Sequence, residues 1–142
     1  MANTSDQQLL SLLLRLQHSG PGYPPFKKIG ITPAQFAYLH CIAITPEITL
    51  QAISAALEVS PASVSNALKQ LEKRQLVQRT PNPDDGRSSC FTLSAQGQSV
   101  HKKTTLYRQK KARTLLNRLS EEEQVRFLQL FEQLLTGSPL QS

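Results

Sequence analysis

Apolar positions recur along this chain mostly at helical spacing, broken by two short stretches of strand character. Leu9, Leu10, Leu12, Leu13, Leu14 and Leu16 predict a first helix capped by Thr4 or Ser5. It should run to about Ser19, where Gly20, Pro21, Gly22, Pro24 and Pro25 stop it. Thr32-Pro33 places a capping hydroxyl before a proline in the first helical position. That second helix carries Phe36, Leu39, Ile42 and Ala43 and ends before Pro46. Thr49 caps a short third helix with Leu50, Ile53 and Leu57 inward, and Ser60-Pro61 repeats the cap-then-proline signal for a fourth, through about Arg74. Residues 76–79 and 90–93 read as two short strands around the turn-rich run from Pro81 to Gly86. Ser94 starts a long helix to about Leu119, and Ser120 with Glu123 forms a capping box for a last one, to about Leu135.

This order predicts a mainly α protein with a small β-hairpin wing: a winged helix-turn-helix with N- and C-terminal dimerisation helices. The boundaries are 1–31 for the N-terminal dimerisation helix and linker, 32–97 for the winged helix-turn-helix, and 98–142 for the long helix and the C-terminal dimerisation helix. At 100° per residue the leucines of the first helix cover an arc of roughly 200°. Val125, Phe127, Leu128, Leu130, Phe131, Leu134 and Leu135 cover roughly 220° of the last. A surface helix of a monomer needs an apolar stripe of only about 100°. Both terminal helices therefore have more to bury than one small domain covers, and pairing with a second copy is the economical solution.

On the fourth helix Val64, Ala67, Leu68 and Leu71 share an inward side, while Ala62, Asn66, Lys69 and Lys73 face outward, flanked by Ser63, Ser65 and Gln70. Small and amide side chains just behind Pro61 suit the end of a recognition helix that meets base edges. Asn66 can pair bidentately with adenine, and Lys69 and Lys73 reach phosphates. Arg87, behind Gly86 at the hairpin tip, can enter a narrow minor groove with a neighbouring carboxylate orienting its guanidinium. Arg79 at the base of the wing could add a phosphate contact. As a different class of function, a winged helix can bind protein, but such a face should be richer in exposed aromatics or aliphatics than this one.

Composition agrees. A net charge of +6 favours an acidic partner, nucleic acid first. Aromatics make up only 6% of the chain, so the core must be mostly Leu, Ile, Val and Ala. Lys102, Lys103, Arg108, Lys110, Lys111, Arg113 and Arg118 crowd the long helix with no acid between Gly86 and Ser120, a field that could draw DNA in, a solvated face, or a pairing surface for Glu121, Glu122 and Glu123 of a second copy. Cys41 and Cys90 form no C-x-x-C pair and read as small core residues, with a redox-responsive regulator using either as the alternative. His18, His40 and His101 lack metal-ligand spacing, and no nucleophile, base and orienting group can be assembled, so neither cofactor nor enzymatic activity is expected. No signal segment or bilayer-spanning run appears, which predicts a cytoplasmic protein without a membrane partner.

The runs ITPAQFAYL, LEVSPASVSNALKQLEKRQLVQR and PDDGRSSCFTLSAQG resemble the MarR (multiple-antibiotic-resistance regulator) family of bacterial transcription factors. Asp85, Arg87, Leu93, Ser94 and Gly97 match the family's wing signature of Asp-x-Arg, a strand, then Leu-Thr-x-x-Gly, with serine for threonine. The resemblance implies a dimer on a pseudo-palindromic operator, commonly a repressor, released by a small phenolic or lipophilic effector or by cysteine oxidation. It places Ser63, Ser65 and Asn66 in the major groove and Arg87 in the minor groove, with Asp85 orienting it. Glu58 and Gln75 stand where the family often has glycine, and the linker from Gly20 to Gly30 is proline-rich near the expected ligand cleft.

Overall fold

The structure is a computed structural model, and it describes residues 4–18 and 24–137. The predicted stop at Gly20, Pro21 and Gly22 lies outside the described residues. In chain order the elements are α1 (Ser5–His18), α2 (Phe26–Ile29), α3 (Pro33–Ile44), β1 (Ile48–Thr49), α4 (Leu50–Leu57), α5 (Pro61–Lys73), β2 (Val77–Asn82), β3 (Asp85–Leu93), α6 (Ala95–Leu116) and α7 (Glu121–Thr136). Four of the predicted N-caps form the same bond. Thr32, Thr49, Ser60 and Ser120 each accept a backbone N–H from three residues on. At Thr32 and Ser120 the glutamine or glutamate three residues on closes the box from its side chain.

The chain divides into two compact units. One is Pro24–Leu106; the other joins the residues up to 23 with those from 107 on, so α6 begins in the first and ends in the second. The first unit holds the core. Leu39, Ile53, Val64, Leu68 and Leu71 have no exposed surface, and Ile42, Leu76 and Phe91 are almost as deeply buried. Antiparallel β1, β3 and β2, in that order, flank the helices. β1 is only Ile48 and Thr49 paired to Phe91 and Cys90, too short to read as a strand from sequence, and α2 is a single turn closed by Gly30 at φ 92°.

The wing is longer than predicted. Its strands run to Asn82 and resume at Asp85, so the connection is only Pro83 and Asp84. β2 is the outer strand, where Pro81 costs no ladder bond to a further neighbour. Pairing runs regularly from Val77↔Leu93 to Pro81↔Ser89, then jumps to Asn82↔Asp85. The intervening residues 86–88 bulge out of the ladder. Arg87 therefore lies on this bulge of the returning strand, not at the tip.

Among the described residues, three non-glycine residues hold left-handed backbone: Glu47 (φ 62°), Glu58 (φ 54°) and Gln75 (φ 59°). Two of them are the positions where the family often has glycine, and each costs on the order of 1 kcal/mol. What the Gln75 conformation secures is visible. The Gln75 N–H bonds to the Glu72 carbonyl at 2.9 Å and the Leu76 N–H to the Leu71 carbonyl at 3.0 Å, a Schellman close to α5. It also turns the Gln75 carbonyl toward Ser94, whose hydroxyl donates to it at 2.6 Å and accepts the Gly97 N–H at 3.0 Å. The joint leaves no room for a side chain: a Cβ on Gly97 would sit 2.0 Å from the Leu76 carbonyl oxygen. One serine and one glycine thus tie the end of α5, the start of β2 and the start of α6 together.

The second unit differs in kind. Its α7 has no buried residue, and every leucine of α1 from Leu9 to Leu16 is more than a third exposed. Its own helices line an apolar groove of about 540 Å³, with Leu12, Leu16, Phe127, Leu130 and Leu134 on the walls and Arg15 and Arg118 among the lining residues. Among the described residues no helix is long and apolar enough to cross a membrane.

Candidate nucleic-acid interface

The outer face of α5 is built by its own amphipathic spacing. Val64, Leu68 and Leu71 are wholly buried, which aims Pro61, Ala62, Ser63, Asn66, Lys69 and Lys73 into solvent, with Ser65 half-buried at the edge. The N-cap fixes the leading end: Ser60 accepts the Ser63 N–H at 3.2 Å and donates its hydroxyl proton to the Ser63 hydroxyl at 2.9 Å. Ser63 is thus partly engaged by the cap. Asn66, Lys69 and Lys73 have no hydrogen-bond or ion-pair partner among the described residues.

The wing refines two expectations. Asp85 does not hold the Arg87 guanidinium; its carboxylate accepts the Arg87 backbone N–H at 3.0 Å. A residue two positions away on a bulge presents its amide to the carboxylate more readily than a long side chain folding back, so Asp85 shapes the backbone under Arg87. The exposed guanidinium has no partner among the described residues. Around it the wing is held by side-chain bonds, with Asn82 donating to the Ser88 hydroxyl at 2.8 Å and accepting the Asp84 N–H at 3.1 Å.

Arg79 has a partner within the chain. Its Nε donates to the Glu72 carboxylate at 3.0 Å, and its guanidinium lies 5.2 Å from the ring centre of Phe91, its cross-strand partner. It joins α5 to the sheet, and its charge is offset where it stands. Glu72 is seven residues earlier, at the end of α5, and only the fold brings the two together.

Cys41 and Cys90 are both buried and unpaired. Burial pushes the Cys41 thiol above its ordinary range, which disfavours the thiolate that a redox sensor needs. No group of three or more metal-ligating side chains occurs among the described residues. Sequence reasoning missed one pairing: His40 on α3 and His101 on α6 meet at 3.0 Å although 61 residues separate them.

Comparison with known proteins supports this architecture. The MarR family model matches residues 31–89, which run from the start of α3 into the wing. The transcriptional regulator HosA of Escherichia coli is 30% identical over 105 residues, 74% of this chain and 78% of HosA. The HTH-type transcriptional repressor MdtR of Bacillus subtilis is 27% identical over 125 residues, 84% of this chain and 81% of MdtR. Among solved structures, a mutant of S. aureus MepR superposes with a TM-score of 0.80 at 22% identity, covering 95% of this chain and 98% of MepR. A MepR–DNA complex from the same organism gives 0.74 at 22%, covering 96% and 100%. Winged-helix architecture, extent of match and identity to a regulator across most of that regulator's length agree: the chain belongs to the MarR family of transcriptional regulators.

Proposed function

We propose that this protein is a homodimeric, sequence-specific DNA-binding repressor rather than an enzyme, acting in the cytoplasm. The observation that carries the reading is the outer face of α5, exposed and unpaired beyond its cap while the opposite face is wholly buried. Pro61 and Ala62 lead the helix into the major groove. Ser63, Ser65 and Asn66 meet base edges, and Lys69 and Lys73 meet phosphates. Arg87 reaches the minor groove from the wing bulge, with Asp85 fixing the backbone from which it projects. Arg79, whose Nε is bound to Glu72, would add a phosphate contact through the rest of its guanidinium. That S. aureus MepR was solved on DNA and that MdtR is named a repressor support the partner and the sign of regulation. A protein-binding role would need exposed aromatics or aliphatics on this face, and it presents none.

The second unit supplies the dimer. Apolar helices that leave Leu10 57% and Leu135 71% exposed are completed by the same helices of a second copy, which would remove that surface from water at roughly 25 cal/mol per Å². A small phenolic or lipophilic effector that releases DNA completes the proposal. PcaV of Streptomyces coelicolor, a structural neighbour, was solved with its natural ligand.

A fluorescence-anisotropy titration tests the reading, using the duplex upstream of the protein's own gene, a scrambled duplex and a series of salt concentrations. Selective, salt-dependent binding at two subunits per site is expected. Equal, weak binding to both duplexes, followed by failure to enrich any sequence from a random pool, would refute it.

A further inference from the structure

The pairing of His40 with His101 has no part in the DNA-facing surface. Nδ1 of His40 and Nε2 of His101 are 3.0 Å apart, and the ring centres are 5.3 Å apart. The difference between these distances equals the two ring radii, so the bonded nitrogens lie on the line joining the ring centres. The rings meet edge to edge, the geometry of an N–H···N hydrogen bond. A metal ion bound to both would require the two lone pairs to converge on a third point instead. Buried Phe36 lies beside both rings, 5.7 Å from His40 and 5.6 Å from His101 between centres, with its plane 21° and 7° from theirs. His40 is exposed and His101 half-buried, so protons reach the pair from solvent.

We propose that His40 and His101 form an acid-sensitive latch between α3 and α6, closed by one shared N–H···N bond and opened when both rings are protonated. In the neutral pair one ring donates and the other accepts. A first added proton sits on the outer nitrogen of the donating ring, which strengthens that ring as a donor, and the bond survives. A second converts the remaining acceptor lone pair into an N–H, so donor faces donor and two positive charges stand 3.0 Å apart.

The surroundings offer that charge little relief. Neither α3, α4 nor α6 carries a carboxylate. The charges flanking His101 on α6 are Lys102, Lys103 and Arg108, and those on α2 are Lys27 and Lys28. Of the other elements packed on α3, α5 brings Lys69, Lys73, a Glu72 bound to Arg79 and, at its C-cap, Arg74 bonded to Gln35 of α3, and β3 brings Asp85 and Arg87 on the wing. Glu47 follows the end of α3 in the exposed turn. Neighbouring Cys41 stays a neutral thiol. Burial, and then the charge of His40, hold His101 below the ordinary imidazole range. A histidine shifted this way adds stability above its unfolded value of 6.5, and that stability is lost as pH falls below it. Because α6 is the helix shared by both units, its release from α3 disturbs the base on which α5 and the wing are mounted.

The test compares the wild-type protein with His101→Gln, whose amide keeps a donor and an acceptor near the same place without titrating. Three readouts run from about pH 7.5 to about pH 5.5: the imidazole Cε1–H resonances, the melting temperature and the affinity for operator DNA. In the wild type, protonation of one ring should move the resonance of the other, and His101 should titrate below the ordinary imidazole range. Its melting temperature should fall about 4 °C further than that of the variant. Its DNA affinity should fall about fivefold further. Independent titration of the two rings, with the same melting profile in both proteins, would overturn the latch. Coupled titration with identical pH dependence of DNA affinity would overturn its link to DNA. The DNA arm rests on the function proposed above. A protein that binds no duplex at any pH would refute that function, leaving resonances and melting to decide the latch.

Discussion

The two amphipathic helices α5 and α7 are of similar length, and the structure treats them in opposite ways. In α5 the apolar residues Val64, Leu68 and Leu71 are wholly buried, and what remains outside, beyond Pro61 and Ala62 at its start, is polar or basic. In α7 no residue is buried, and Val125, Leu128, Leu130 and Leu134 are 44% to 58% exposed. One helix is finished by its own chain, and the other is left open by it, as the proposed dimer requires. Amphipathicity alone does not distinguish them. The difference lies in the width of the apolar arc and in what the rest of the chain provides to cover it.

The comparison can be broken most forcefully at its leucines. Leu68→Ala should cost about 2–5 kcal/mol in urea denaturation, with a loss that does not depend on protein concentration, because its cavity lies within one chain. Leu130→Glu should leave the winged-helix unit folded by circular dichroism but yield monomers in sedimentation velocity. A Leu130→Glu protein that stays dimeric at micromolar concentration would refute an interface through α7.

A second pair of changes sharpens the polar side of the comparison. Asn66→Ala and Arg87→Ala should each cost about 1–3 kcal/mol of operator affinity in an anisotropy titration while leaving the melting temperature and the dimer unchanged. The two should differ in kind. Losing Asn66 should relax discrimination at one base pair, and losing Arg87 should weaken binding most where the flanking sequence narrows the minor groove. Unchanged affinity for Arg87→Ala would remove the minor-groove role.

The smallest effect concerns the backbone supporting α5. Glu58, at φ 54° and ψ 43°, ends α4 in a conformation that glycine adopts without strain. Glu58→Gly should raise stability by at most about 1 kcal/mol, since the strain relieved is partly offset by the greater freedom of glycine in the unfolded chain. A destabilised variant would mean that the Glu58 side chain contributes more than its backbone costs.

How much of this was readable beforehand divides along the range of the forces involved. The caps at Thr32, Thr49, Ser60 and Ser120 were readable because each is a bond between a side chain and a backbone three residues away. The inward face of α5 was readable from its period. Glu58 and Gln75 stood out as non-glycine residues at positions that call for left-handed backbone, and both adopt it. The reach of the wing was not readable, because its proline- and glycine-rich composition favours a loop while antiparallel pairing can still propagate through it to a two-residue connection. The partners of Arg79 and Asp85 were not readable either. Nothing local distinguishes an arginine that will touch Glu72 from one that will stay free.

By itself, then, the sequence determined the order of helices, their caps, the polar outer face of α5 and the surplus of apolar surface at both ends, all consequences of spacing within a few residues. Only the tertiary structure decided that Arg79 is held by Glu72, that Asp85 grips the backbone of Arg87 rather than its guanidinium, that Gly97 must lack a side chain, and that His40 meets His101. Each of those depends on two chain segments arriving within about 3 Å of one another, and a hydrogen bond falls off too steeply with distance and angle for any pattern along one segment to foretell its partner.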